Sequence, residues 1–405
     1  MKSFLGILLS MIIIASFCGC QTTPATIQDN ETTSIVSQVE ETTVSTLDTD
    51  KLEWVDFKEY NLNPDEPVKN IILMIGDGMG ENIIKCSEIV KGDKLIMQGI
   101  ENTVYVRTDS LSGTTDSAAA ATAMSCGIKT DNRYLGVDEN GEPVETIVEF
   151  AKARGLKTGL VVTQMMPHAT PAGMVCHYNS RTVFNVLFKQ MLRANVDVLF
   201  GGGSQYYAGG AKRIAEENDY EYVTDAEGLL KLDGSKKSLG MFAYEGIYGD
   251  KVPSLSTMTE KALELLNNDD GFFLMVEGSN IDIKEADLDM KGALEEMQSF
   301  DKAVNSVLAW AEKNPGTLVI VTADHETGGV IVPENATVED INNDCFTSGG
   351  EHTSTNVLLM AAGAQSDKLF TEDTIENTDI SKAMREQLNK TYGEAEVQLL
   401  NDANV

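Results

Sequence analysis

The chain of 405 residues is short of positive charge, of histidine and, beyond Cys20, of closely spaced cysteine; the first and last shortages each remove a class of function. Lys and Arg total 31 against 63 Asp and Glu, a formal charge of −32 that becomes −33 when Lys2 leaves with a cleaved leader. Nucleic acid and anionic membrane surfaces are therefore poor partners. Cys86, Cys126, Cys176 and Cys345 lie far apart with no C-x-x-C pair. That spacing gives no cysteine zinc signature and leaves disulfide pairing open. The apolar run "FLGILLSMIIIASF" after Met1-Lys2-Ser3 is too short to span a bilayer comfortably.

That run and the "CGC" after it read as a secretory signal over residues 1–20. The small pair Cys18-Gly19 before Cys20 resembles a bacterial lipoprotein cleavage site, with Phe17 where Leu is usual. The expectation is lipidation of Cys20, an extracytoplasmic location, and membrane contact only through that lipid anchor. A plain secretory signal cut nearby, or an uncleaved anchor, is the alternative. Residues 21–53 are rich in Thr, Ser, Asp and Glu, a composition that builds no core and predicts a disordered acidic tether. The folded part is expected over 54–405, with a peripheral insertion at 203–260.

From residue 55 onward, short apolar runs alternate with helical periodicity. The pattern predicts an α/β fold with a large, mostly parallel central sheet and helices on both faces. Pro143 is expected to open a helix through "VETIVEFAKAR" that Gly155 closes before the strand "TGLVV". Met297, Phe300, Val304, Val307 and Ala311 have the spacing of a helix packed on the sheet.

The residues just beyond each strand carry the chemistry. "NIILMIG" runs into Asp77, "GLVVTQMMP" into His168 and Thr170, "GFFLMV" into Glu277 and Asp282, and "TLVIVTA" into Asp324 and His325. Ligands of open α/β sheets bind beyond the carboxyl ends of the strands, so these residues are candidates for one site. Each also has a bland reading: Asp77 in "GDGMG" as a turn residue, Glu277 and Asp282 as helix-capping acids. The chain has only four His, however, and His168, His325 and His352 all flank predicted strand ends. His177 reads as structural. Carboxylates collected without a cation would repel and raise their own pKa values, a conflict that divalent ions remove. Oxygen donors suit magnesium, and imidazole mixed with carboxylate suits zinc.

The stretch "GTTDSAAAATAMSCG" places Ser117 in the first turn of an Ala-rich helix, behind the cap-type residues Thr114, Thr115 and Asp116. A hydroxyl there would meet both a helix dipole and, if the strand-end donors hold an ion, a neighbouring metal, and both would favour its alkoxide. Arg181 in "HYNSRTVF" is a candidate for bidentate phosphate binding.

Together these segments resemble the alkaline phosphatase family. The resemblance is carried by "NIILMIGDGMG", "TTDSAAAATAMSCGIKT", "HATPA", "SR", "DVLFGGG", "VEGSNID", "TADH" and "EHT", in family order across residues 69–363. It implies hydrolysis of small phosphate monoesters through a phosphoseryl intermediate on Ser117, with Arg181 as the phosphate-binding arginine. It implies Asp77, Asp324 and His325 as ligands of the zinc beside Ser117. Asp77, Thr170 and Glu277 would form the magnesium site, and Asp282 and His352 would hold a second zinc. His168 stands where relatives carry Asp or His near the magnesium and the substrate. A homodimer is also implied. Two positions depart from the family: Ala286 replaces a zinc-binding His, and Ile283 replaces a polar residue often found there. Either Glu285, His352 and water are then expected to complete a weaker second zinc site, or a different metal to occupy it. The alternatives are a phosphodiesterase or phosphonate hydrolase of the same superfamily, or a phosphate- and metal-binding lipoprotein with little turnover.

Overall fold

The structure is a computed structural model, and it describes residues 52–207, 210–247 and 253–399. The signal segment, Cys20 and nearly all of the acidic tether lie outside the described residues. Among the described residues no helix is long and apolar enough to cross a membrane.

The strands are β1 (Asn70–Gly76), β2 (Asn102–Arg107), β3 (Lys157–Met165), β4 (Val198–Gly202), β5 (Tyr220–Val223), β6 (Lys237–Met241), β7 (Phe272–Gly278), β8 (Thr317–Ala323), β9 (Glu326–Thr327), β10 (His352–Thr353), β11 (Val357–Gly363) and β12 (Thr374–Glu376). Ten of them form one sheet in the order β12-β2-β11-β8-β1-β7-β3-β4-β6-β5. All pairings in it are parallel except those of β11 with β2 and β8. Strands β1, β7 and β8 are buried along their whole length, as expected of parallel strands with helices on both faces. The predicted mostly parallel α/β architecture is the one observed. Residues 203–260 carry β5 and β6, which extend the main sheet at its edge.

Register brings the chemistry to one level. Gly76 at the end of β1 pairs with Gly278 of β7 and Ala323 of β8, so Asp77 and Asp324 leave the sheet side by side, with Glu277 one step below. Two glycines let bulky neighbours close in: a Cβ on Gly278 would stand 2.8 Å from the Phe300 ring, and one on Gly173 would stand 2.6 Å from the Ala121 Cβ. The first contact seats the helix Met290–Ala311, whose predicted inward residues Met297, Phe300, Val304, Val307 and Ala311 are all buried. The second packs the short helix Ala169–Gly173 against the helix Ser117–Cys126.

One helix start is corrected. Pro143 sits in an isolated bridge with Val137, and the helix begins at Ile147. Thr146 is its N-cap, because its hydroxyl accepts from the Glu149 N–H while the Glu149 carboxylate accepts from the Thr146 N–H. That reciprocal pair outweighs the preference of Pro for a first turn. Cys86, Cys126 and Cys345 are buried thiols, and the Cys176 thiol, also buried, donates to the Leu187 carbonyl.

Candidate active site

Ser117 is the first residue of a ten-residue helix in which every side chain is buried. Asp116 caps it, accepting from the Ala119 N–H at 3.0 Å. The same Oδ1 accepts from Arg133 N–H, and Oδ2 accepts from the Arg181 guanidinium at 3.0 Å. Although burial alone would raise it, Arg181 and these N–H donors hold the Asp116 carboxyl below the usual range. Its cap function is legible in the sequence, but its hold on Arg181 is not. The other side of Arg181 faces His168, with Nη2 and Nε2 3.4 Å apart. Burial and the neighbouring guanidinium push the His168 imidazole down to about 3, so it is neutral at neutral pH.

Beside Ser117 lies a first cluster. His325 Nε2 is 3.4 Å from Ser117 Oγ, 3.4 Å from Asp77 Oδ1 and 3.3 Å from Asp324 Oδ2. The Thr327 hydroxyl donates to Asp282 Oδ1 at 2.7 Å and stands 3.2 Å from His325 Nδ1. With its proton committed to Asp282, that hydroxyl accepts from Nδ1–H, which leaves the Nε2 lone pair aimed at the two carboxylates and Ser117. Asp324 is oriented by the N–H groups of Gly78 and His325 on Oδ1.

A second cluster adjoins it. The rings of His325 and His352 stack with centroids 3.6 Å apart. His352 Nδ1 donates to the Thr115 carbonyl at 2.9 Å, so Nε2 faces Asp282 Oδ1, 3.4 Å away. Burial opposes a charged His352, but Asp282 outweighs it and pushes the imidazole up to about 9. The carboxyl of Asp282 is correspondingly held low against the pull of burial, by His352 and His325.

A third group lies behind the first. Burial pushes Glu277 up to about 7, and the nearby Ser279 and Thr170 hydroxyls only partly counter it. Those hydroxyls stand near Glu277 without closing hydrogen bonds of normal geometry, since both Glu277 oxygens and Thr170 Oγ1 are buried without a partner. Both Asp77 oxygens and Asp324 Oδ2 are orphaned in the same way. Burial first, then Asp324, Asp282 and Glu277, drives the Asp77 carboxyl well above the usual range. Buried orphan carboxylates are costly, and orphans converging on one spot are the donor set of a cation site. The sets Asp77–Asp324–His325 and Asp282–His325–His352 each bring their donor atoms within 4.8 Å of one another.

His177 lies apart from this constellation. Its Nδ1 donates to the Gly136 carbonyl at 2.6 Å and Nε2 lies 3.0 Å from Glu149 Oε1, a buried structural histidine in keeping with its sequence context. Thr327 and the Thr115 carbonyl, which orient the two metal-facing imidazoles, carry no sequence signal of their role.

A family model described as alkaline phosphatase matches residues 68–344. The chain belongs to the alkaline phosphatase family. It is 40% identical over 292 residues to alkaline phosphatase 3 of Bacillus subtilis, an alignment covering 66% of this chain and 63% of that protein, so the match spans a little under two thirds of the relative's length. To the alkaline phosphatase of Escherichia coli K12 it is 35% identical over 371 residues, covering 74% of this chain and 78% of the relative. Among solved structures, the alkaline phosphatase of the Antarctic bacterium TAB5 superposes with a TM-score of 0.72 at 30% identity, covering 81% of this chain and 98% of that one.

Proposed function

We propose that this alkaline phosphatase family member hydrolyses phosphate monoesters through a phosphoseryl intermediate on Ser117. The observation that carries the reading is a nearly inaccessible serine hydroxyl at a helix N-terminus, 3.4 Å from an imidazole lone pair and bordered by orphaned buried carboxylates. The donors fit the implied ions: Asp77, Asp324 and His325 would hold zinc beside Ser117; Asp77, Thr170 and Glu277 would hold magnesium; Asp282 and His352 would contribute to a second zinc. A variant of the TAB5 enzyme has been solved with magnesium bound. When bound, such ions stabilise the charge of phosphoryl transfer and favour deprotonated oxygen nucleophiles.

The chain's own residues supply the rest. Ser117 Oγ attacks phosphorus in line as the P–O bond to the ester's alcohol breaks, and that oxygen leaves and takes a proton. Water then attacks the phosphoseryl phosphorus, releasing phosphate and restoring Ser117. The free N–H groups of the helix favour both the alkoxide and the transferred phosphoryl group. Arg181, held by Asp116 and backed by neutral His168, offers two N–H donors to phosphate oxygens. The acidic chain does not repel the substrate, because distant carboxylates are screened over ~8 Å at physiological salt while arginine and cations act at short range. The proposed assembly is one folded catalytic unit over 54–405, anchored outside the cytoplasm through lipidated Cys20 and paired as a homodimer.

The test is an acid-quenched single turnover of p-nitrophenyl phosphate with peptide mapping. Label on Ser117, and its loss with turnover in Ser117→Ala, is the expected result; full turnover in the variant would overturn the assignment. Faster hydrolysis of the bis-ester than of the monoester would move the activity to the phosphodiesterase class. The substitution Ala286 favours a second reading, a binding lipoprotein with little turnover, which predicts stoichiometric label and no burst-and-steady-state cycle.

A further inference from the structure

The turn at residues 131–134 carries a cation that the proposed chemistry leaves unused. The Tyr134 N–H donates to the Asp131 carbonyl at 3.2 Å, and Arg133 is the third residue of the turn, with φ 76°. That position favours Gly or Asn, because a larger side chain there crowds the neighbouring backbone. A long cationic residue occupies it instead. Three hydrogen bonds hold the strained conformation: the Arg133 N–H donates to Asp116 Oδ1 at 3.0 Å, the Asn132 amide donates to the Thr114 carbonyl, and Asn132 Oδ1 accepts from the Asp116 N–H. Thr114 and Asp116 belong to the segment that leads into Ser117, so the turn is fixed to the nucleophile's own loop.

From that turn the side chain runs toward the phosphate-binding arginine. Arg133 Nη2 donates to the Thr182 hydroxyl at 3.4 Å, one residue on from Arg181. Asp116 joins the two arginines, since Oδ1 takes the Arg133 N–H while Oδ2 takes the Arg181 guanidinium. Their settings differ. The Arg181 side chain is ion-paired and mostly buried, whereas Arg133 is exposed and, among the described residues, has no carboxylate within ion-pair distance. The acid of its own turn, Asp131, is engaged by the Ser112 hydroxyl at 2.8 Å. In a chain of formal charge −32, a guanidinium left without a carboxylate keeps most of its N–H donors open to an incoming anion.

We propose that the Arg133 guanidinium is a second anion subsite, favouring phosphate monoesters whose alcohol carries a further carboxylate or phosphate. The proposal rests on the phosphomonoesterase reading of Ser117 and Arg181 and names a substrate class for it. Arg181 takes the phosphate that is transferred, and Arg133 takes the anion on the part that leaves. A planar guanidinium pairs bidentately with either oxyanion, so one side chain serves both.

The test is a ratio of kcat/KM values for two esters that differ by one carboxylate, O-phosphoserine and ethanolamine phosphate, on full-length protein supplied with Zn2+ and Mg2+. In Arg133→Gly the ratio of the first to the second is expected to fall about tenfold from wild type, the low end for a charge-assisted hydrogen bond because the site is exposed. Gly relieves the strained φ, so this variant is expected to fold as well as wild type. Arg133→Lys keeps the charge without the fork and should recover part of the ratio. Raising ionic strength should lower the ratio more steeply in wild type than in Arg133→Gly. A ratio that is the same in wild type and Arg133→Gly overturns the proposal. So does an equal loss on both esters, which would mean that Arg133 acts only through Asp116. Ser117 labelling in the same preparations separates the two readings. Label with an unchanged ratio sinks the subsite alone, whereas no label and no turnover of either ester sinks the phosphoseryl mechanism beneath it.

Discussion

The two imidazole-bearing clusters share a wall, the stacked rings of His325 and His352, yet differ in how completely they are built. In the first, the side chains of His325, Asp77 and Asp324 are no more than 1% exposed and leave directly from paired strand ends. In the second, His352 and Asp282 are 26% and 13% exposed, and the donors come from a short helix and a two-residue strand. Rigid, dry and complete placement favours a tightly held ion, whereas the second cluster must recruit an extra donor or water. The difference predicts unequal sensitivity to the same kind of damage.

Removing one carboxylate from each cluster is the strongest way to break that contrast. Asp324→Ala is expected to empty the first cluster and lower turnover by about 10³-fold, the scale of losing a principal electrostatic contributor. Asp282→Ala should lower it by about 10–100-fold, because the donors of that cluster are more exposed and less rigidly placed. Metal analysis and steady-state rates on both variants check this, and equal losses would erase the distinction. Building up the weaker cluster sharpens it instead. Ala286→His should tighten the second ion by on the order of 100-fold while leaving the first unchanged, as zinc titration would show. No gain would mean that position 286 does not face the ion.

Thr327 tests whether the clusters are coupled. Its hydroxyl donates to Asp282 of one and accepts from His325 of the other, and it is fully buried. Thr327→Val keeps the shape and removes both bonds, so metal affinity should fall about tenfold at both sites together. A loss confined to one site would show that the shared hydroxyl does not link them.

The same contrast explains what is legible in the sequence. Asp77 and Asp324 can be assigned to one level because β1, β7 and β8 are unbroken apolar runs, and parallel register carries their ends into one crevice. The Ser117 helix is equally plain, from its Ala run and its Asp116 cap. Asp282 and His352 stand out as strand-end candidates, but their pairing into a second cluster is readable only through resemblance, since the helix Met290–Ala311, the strands β8 and β9 and a long loop separate them. Nothing local shows that Thr327 bridges the clusters, that the Thr115 carbonyl turns His352, or that Asp116 clamps Arg181, because each contact is made only by the folded chain. The antiparallel insertion of β11 and the edge placement of β5 and β6 escape a local reading for the same reason, as neighbours in a sheet are chosen by long-range packing rather than by local pattern.

The smallest expected effect concerns the ground beneath the second cluster. Glu296, on the long helix Met290–Ala311, is mostly buried beside Asn280 and Lys284 of the short helix that bears Asp282. Burial, reinforced by Glu295 and only partly offset by Lys284 and Asn280, pushes its carboxyl up to about 7 from an ordinary 4.5. Because the folded value is the higher one, the folded chain holds this proton more tightly, and the associated stability is complete below pH 4.5 and lost as pH rises through about 7. Glu296→Gln cannot ionise, so it should match wild type near pH 5 and exceed it by about 1 kcal/mol near pH 8, a figure reduced from the full shift for partial exposure. Denaturation of both proteins in chelator at the two pH values isolates this effect from metal binding. An equal difference at both values would mean that the carboxyl ionises normally and that the helix carrying Asp282 rests on no titrating support.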